Sequence, residues 1–254
     1  MTLIRPQYGA FAQSEVHLLP LGQSATLVRF GDGQSANSML ALNFSGQLEV
    51  AALAGVVEIA PSLSSVQVRF DPALVSREGL NQALTALLNR DETGAKSQKP
   101  IRLWTIPACF GGEAGPQLAQ AAALAGVREA EAIAEITAAP LQVMAIGFAP
   151  GQPYLGTLPP NWAMPRQSDL TPQVPAVALV VAIRQLVLFA NPSPTGWRWI
   201  GSSAFLPFKA DRSDPFALRP GDRIRFAACD ASSIETLRRN QSDGLGGATC
   251  EVQQ

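Results

Sequence analysis

The sequence has 254 residues, 47% hydrophobic and 15% charged, enough apolar material for one large core or two modest ones and too much for a disordered chain. Nineteen basic side chains stand against twenty acidic, with no basic run or charged tail, which excludes the electrostatic footprint of a nucleic-acid or anionic-membrane binder. Three cysteines, Cys109, Cys229 and Cys250, never form a CxxC pair; this points to neither a disulfide framework nor a zinc site and suits a reducing compartment.

The first residues, MTLIRPQYGAFAQSEVH, lack the basic segment and following apolar stretch of a signal peptide. Ser24–Phe30 alternates as a strand, Ala36–Leu53 carries helical spacing, and Ser65–Phe70 alternates again until Asp71-Pro72 stops it. Arg77–Leu88 places Leu80, Ala83, Leu84, Leu87 and Leu88 on one helical face. This strand–helix–strand–helix order predicts a small α+β domain over residues 1–90. The polar stretch that follows, with Gly94 and Pro100, predicts a linker at 91–100.

Residues 101–254 have a different texture. Arg102–Pro107 reads as a strand, Gly115-Pro116 opens an alanine-rich helix through Ala125, and Glu129–Ile136 reads as a second short helix. Gln142–Phe148, Ala176–Ile183, Leu186–Phe189, Arg198–Gly201 and Arg223–Ala227 are short β-rich segments separated by Pro and Gly, the pattern of a barrel or sandwich. The longest apolar run, from Val174 to Ile183, contains Pro175 and ends at Arg184, well short of the ~20 residues that cross a bilayer. A cytoplasmic protein is expected.

Familiar catalytic spacings are missing. The sequence has no GxxxxGK[ST], GxGxxG, HExxH or GxSxG motif, and its only histidine, His17, reads as a strand or turn residue. No metal site is expected. Two glycine-rich segments stand out instead. The run from Ile146 to Pro160, IGFAPGQPYLGTLPP, reads either as a barrel corner or as a ligand wall that displays Tyr154. In Phe110–Leu118, Glu113 and Gly115 precede a helix N-terminus, which reads as an ordinary cap or as an anion site formed by free N–H groups and the helix dipole. Trp197 and Trp199 share strand parity, so both indoles point to one face, either into a core or at an interface.

These segments resemble, in order, a known family. Gly111-Gly-Glu-x-Gly-Pro, the GFxPGxPYLGxLP loop from Gly147 to Pro159, Pro165-Arg166, Val174-Pro-Ala176, Pro194-x-Gly-Trp197 and Leu218-Arg-Pro-Gly-Asp-x-Ile-Arg-Phe226 are similar to stretches of the family of the 5-oxoprolinase B-type subunit, which includes allophanate hydrolase subunit 1 and carboxyltransferase domains. The resemblance spans roughly residues 18 to 227. It implies a ferredoxin-like α+β domain followed by a mainly β, cyclophilin-like barrel. It also implies a homologous C-type subunit and an A-type subunit as partners, and ATP-dependent opening of 5-oxoproline to glutamate in the complex. An unstrained lactam is a poor electrophile, and phosphorylation of its amide oxygen would activate it toward water, which calls for anion-binding donors and a positioned base. On this resemblance the catalytic candidates are Arg166, Glu113 and Tyr154. The substrate-binding candidates are Gly147, Phe148, Pro150, Gly151, Pro153, Tyr154, Gln185, Gly196 and Trp197.

Several positions depart from the family pattern. Ile136 stands where the family commonly has histidine, Thr171 where it has arginine, and Val177-Ala178 where it has Gly-Ser. Of QTGxYP only Gln185 remains, with Phe189 in place of the tyrosine, and Thr195 replaces the first glycine of PGGW. Most of these changes remove a donor or a backbone freedom that an anion site would use. Two functions follow from the resemblance. One is an ATP-dependent 5-oxoprolinase subunit; the other is a catalytically degenerate regulatory subunit related to sporulation-kinase inhibitors.

Overall fold

The computed structural model describes residues 2–6, 11, 14–31, 38–90, 101–240 and 243–253, so the expected linker at 91–100 lies outside the described residues. The chain divides into two compact units, Met1–Lys99 and Pro100–Gln254. All three cysteines are free thiols.

The first unit runs β1 (Thr2–Ile4), β2 (Val16–Leu21), β3 (Ala25–Phe30), α1 (Ser38–Ala51), β4 (Val56–Pro61), β5 (Ser65–Phe70) and α2 (Arg77–Leu88). Its antiparallel sheet has the order β1-β2-β3-β5-β4. Alternation in β3 and β5 puts Val28, Phe30, Val66, Val68 and Phe70 into a core shared with Phe44 and Leu48 of α1 and Leu80, Leu84, Leu87 and Leu88 of α2. Phe11, Phe30 and Phe44 meet there, with ring centroids 5.5 to 5.7 Å apart. Ser76 caps α2 by accepting a bond from the Gly79 N–H, and Arg77 donates to the carbonyls of Gly22, Gln23 and Ala25, fastening the helix start to the β2–β3 turn. The expected α+β composition is present, with three strands, β1, β2 and β4, beyond the two read from the sequence. β2 contains Pro20 and β4 is a half-buried edge without alternation, so neither shows the period-two apolar signal. His17 is a buried residue of β2, its Nε2 3.9 Å from Glu15.

The second unit comprises β6 (Ile101–Phe110), a 3-10 turn at Gly112–Ala114, α3 (Leu118–Ala125), α4 (Glu129–Ala138), β7 (Leu141–Ile146), β8 (Pro153–Gly156) and a 3-10 turn at Pro160–Trp162. It continues with β9 (Thr171–Val174), β10 (Ala178–Ala182), β11 (Gln185–Leu188), β12 (Ser193–Thr195), β13 (Arg198–Ser203), β14 (Arg223–Ala228), α5 (Ala231–Asn240) and β15 (Thr249–Gln253). Strands β6-β14-β7-β8-β11-β10-β13 close into a seven-stranded barrel when β13 pairs back onto β6; β15 lies alongside β6, and β9 and β12 form a separate ribbon. β6 and β14 are parallel, and every other barrel pair is antiparallel.

Alternate residues of every barrel strand enter one core, among them Trp104, Ile106, Val143, Leu155, Val181, Leu186, Ile200, Ile224 and Phe226, joined by Leu118, Ala121, Ala132 and Ile136 from α3 and α4. The expected barrel with helices near its start is therefore present. The first of those helices begins at Leu118, not at Gly115-Pro116. Gly115 belongs to the preceding turn, where an added Cβ would lie 2.0 Å from the Ile200 carbonyl oxygen; its lack of a side chain lets the turn press onto β13. β10 and β11 are joined by Ile183 and Arg184, both at positive φ, a two-residue hairpin turn without the glycine or asparagine that would have announced it.

Asp222 precedes β14 and is 5% exposed. Its carboxylate accepts bonds from Arg102 Nε (2.8 Å), from Arg102 Nη2 and from the Arg219 N–H (2.8 Å), locking the start of β6 to the start of β14. Removing one partner of such a pair strands a buried charge. Asp222→Ala is expected to lower the unfolding free energy by about 3–5 kcal/mol, read from urea denaturation of the whole chain; a loss below about 1 kcal/mol would show that water compensates Arg102.

Candidate functional site

Side chains that alternate away from the barrel core form a second apolar layer on the outer wall of β8, β11, β10 and β13. Ladder registers align Tyr154 with Val187, Val187 with Val180, and Val180 with Trp199, one row across four strands. A neighbouring row sets Gly156 beside Gln185 and Gln185 beside Ala182. Val174, Ala178, Val180, Ala182, Val187, Phe189 and Trp197 are buried in this layer, and Tyr154 and Trp199 pack half-buried against it. Both indoles therefore join one face, as their parity predicts.

The predicted residues divide by position. Tyr154 meets Trp197 edge to face, with centroids 6.2 Å apart and planes at 74°. The exposed Arg166 holds its guanidinium 5.4 Å from the Trp197 ring centroid, a cation–π contact. Gln185 is 5% exposed, and its side-chain amide has no hydrogen bond among the described residues. Tyr154, Gln185, Trp197 and Arg166 thus share one wall. Tyr154 is a strand residue of β8 and not part of a displayed loop: the glycine and proline breaks of 146–160 flank a short strand that pairs on both edges.

Gly147, Phe148, Pro150 and Gly151 form the turn between β7 and β8, and Pro153 starts β8. Gly151 is at φ +71°, and an added Cβ would lie 2.7 Å from Phe208 Cβ, so the turn fits only with glycine there. Phe148 is at φ +71° with its side chain 77% exposed, a strained backbone that presents an aromatic to solvent. Gly196 is crossed by the 165–167 segment: its carbonyl accepts the Gln167 N–H at 2.7 Å, and an added Cβ would approach Gln167 O at 3.3 Å.

Glu113 is exposed on the 3-10 turn before α3. This helix start, read from the sequence as an ordinary cap or as an anion site, carries no side-chain cap. The Gln117 N–H bonds to the Trp199 carbonyl and the Leu118 N–H to the Gly115 carbonyl, so two of the donors at this helix start are in use. The altered positions are accommodated structurally: Ile136 is wholly buried in the barrel core, Thr171 starts β9, and the Thr195 hydroxyl accepts the Trp197 N–H at 3.0 Å. Val177 lies at φ +63°, a conformation that glycine adopts freely and a β-branched residue does not.

Three residues went unnoticed in the sequence. Gln117 Oε1 accepts the Trp199 N–H at 2.7 Å while its Nε2 donates to Gln167 Oε1 at 2.9 Å, and Gln167 Nε2 reaches the Trp197 carbonyl at 3.3 Å. This pair of amides fixes the Arg166 segment to β13. The third, Arg198, is 7% exposed and donates from Nη1 to the Pro165 carbonyl at 2.7 Å. An isolated glutamine in a sequence carries no signal of such pairing. Among the described residues no cluster of His, Cys, Asp and Glu could hold a metal ion, and no helix is long and apolar enough to cross a membrane.

A model of the carboxyltransferase domain, subdomain C and D, matches residues 16–218. The chain is similar to the B-type subunit of 5-oxoprolinase from Bacillus subtilis (strain 168), 30% identical over 217 residues that cover 81% of this chain and 90% of the relative. The crystal structure of TTHA0988 aligns with TM-score 0.67 and 29% identity over 82% of this chain, which spans 40% of that one. The K. lactis urea amidolyase aligns with TM-score 0.78 over 99% of this chain and 17% of its own length; at 15% identity that likeness speaks for the fold alone.

The strained, exposed Phe148 separates stability from function. Phe148→Gly is expected to leave the unfolding free energy unchanged or raise it by roughly 1 kcal/mol, because relief of the positive φ outweighs the added freedom of the unfolded chain. Guanidinium denaturation measures this, and a clear loss would mean that the ring packs against the protein.

Proposed function

The chain belongs to the carboxyltransferase-domain family, subdomain C and D, and from that membership we propose that it serves as the B-type subunit of a 5-oxoprolinase-type complex that opens 5-oxoproline to glutamate with ATP hydrolysis. Its partners in this reading are a homologous C-type subunit and an A-type subunit. The observation that carries the proposal is the meeting of Tyr154, Gln185, Trp197 and Arg166 on one barrel wall, brought there by separate strands and one crossing segment. Within the same reading the first unit is ferredoxin-like and the barrel cyclophilin-like. In support, α1 connects β3 to β4 across the intervening β5, a split β–α–β crossing.

The assigned roles follow from side-chain chemistry. Arg166 presents a planar fork that matches the two oxygens of a substrate carboxylate, and its stacking on Trp197 limits the orientations of that fork. The unpartnered amide of Gln185 can both donate and accept, as a lactam requires. Tyr154 contributes a hydroxyl beside an apolar floor of Val180, Ala182 and Val187. Phe148 and its turn, with Gly147, Pro150, Gly151 and Pro153, border the wall where β8 begins. These residues bind and orient the substrate. Glu113, exposed on the turn before α3, is assigned no step. Two N–H groups at the start of α3, those of Gln117 and Leu118, are already bonded, and no ATP step is assigned to this chain.

A second reading, a regulatory subunit without turnover, is favoured by two positions. Ile136 fills core space where the family commonly has a titratable histidine, and Val177 keeps the positive φ of a glycine without the freedom of one.

The test is to recover the tagged chain with its partners from native cytoplasm and assay the complex for ATP-dependent release of glutamate from 5-oxoproline. Arg166→Ala is expected to lower kcat/KM about a hundredfold while assembly, followed by size exclusion, stays unchanged. An intact complex without turnover would overturn the catalytic reading in favour of the regulatory one.

A further inference from the structure

Arg198 opens β13, and its ladder partner Val181 belongs to the barrel core, so its side chain turns into the barrel and not onto the outer wall. It is 7% exposed. Of its five N–H donors, only Nη1 has a bond, to the Pro165 carbonyl at 2.7 Å, and Nε is buried with no partner. Among the described residues no carboxylate pairs with it, and burial alone pulls its pKa below the ordinary arginine value.

The same barrel treats its other inward arginine differently. Arg102 is matched by a buried carboxylate, Asp222, through two bonds and gives a third to the Ala217 carbonyl. In the first unit, Arg77 is satisfied by three carbonyls. A buried guanidinium lacking such partners is costly to fold around unless an anion arrives to complete it. Arg198 lies where residues 164–167 cross the strand ends, held by the Ile183 N–H to the Met164 carbonyl at 2.8 Å and the Gln167 N–H to the Gly196 carbonyl at 2.7 Å. Arg166, next along this segment, lies instead on the outer wall over Trp197.

We propose that Arg198 is the buried cation of an oxyanion-binding site at this end of the barrel, taking a small carboxylate or phosphate. The missing charge partner of Arg198 is supplied by the ligand. The site does not depend on lactam opening; a regulatory subunit would keep it.

The test is thermal unfolding of the full chain in rising inorganic phosphate, and separately in rising malonate, each against sodium chloride of matched ionic strength. A ligand that binds only the folded state raises the midpoint with its concentration. The wild type is expected to show such a rise, beyond the chloride baseline, with at least one probe; a response to phosphate alone assigns phosphate, and to malonate alone a carboxylate. Arg198→Met is expected to lose the rise and, in chloride, to unfold no lower than wild type, because an unpaired buried charge has gone. Arg198→Lys keeps the charge without the fork and is expected to need at least about tenfold more anion for the same shift, and it serves as the test if the Met variant does not fold. Three results would overturn the proposal. They are no rise in wild type with either probe, a rise of equal size in the variants, or a lower midpoint in Arg198→Met with the anion response intact, which would make Arg198 a strut on the Pro165 carbonyl.

Discussion

Closure of the barrel through β6 is the constraint on which the rest of the second unit depends. One edge of β6 pairs with β14 along Leu103–Ala108; the other carries β15 over Ile101–Thr105 and then β13 at Ala108–Phe110. Because β13 meets β6 only at that last stretch, the chain leaving β6 must turn at once over β13, and Gly115 settles against the Ile200 carbonyl. Ser203 Oγ bonds to the Pro107 carbonyl at 2.6 Å and Ser202 Oγ to the Ala114 carbonyl at 2.8 Å, pinning both sides of the seam. The seam orders the strands so that β8, β11, β10 and β13 lie side by side, and the wall bearing Tyr154, Gln185 and Trp197 is a consequence of that order.

Much of this architecture was legible in the sequence wherever burial imposes a period. Leu80, Leu84, Leu87 and Leu88 read as one helical face, and all four are buried. The apolar segments that became β6, β10, β11, β13 and β14 were recognisable as strands because one face of each must enter the core. β8 was not, since Pro153 and Gly156 imitate a loop, and a strand of four residues is too short to show alternation. β9 and β12 escaped notice for the same reason, and β15 because only its pairing with β6 defines it.

The candidate site was legible by residue type but not by geometry. Motif resemblance pointed to Tyr154, Arg166, Gln185 and Trp197, yet their meeting depends on ladder registers that no local pattern encodes. The turn that carries Glu113 makes a related point, since the Gln117 N–H just beyond it bonds to Trp199, a strand residue distant in sequence. The two inward arginines make a similar point about charge. Arg102 and Arg198 look alike as letters, and only the fold reveals that one has Asp222 and the other a single carbonyl.

The pairing of β6 also bears on how the polypeptide acquires its shape during synthesis. β6 is the first strand of its unit to leave the ribosome, yet its partners are β13, β14 and β15, the last three strands made. Until they emerge, Ile101–Phe110 has no mate for either edge, and the apolar side chains of Trp104 and Ile106 have no barrel to enter. Contacts between such distant segments form late and slowly, so the nascent chain carries an open β edge while the residues between β6 and β13 are made. The helices α3 and α4, made directly after β6 and packed into the same core, are the nearest cover available to it in that interval.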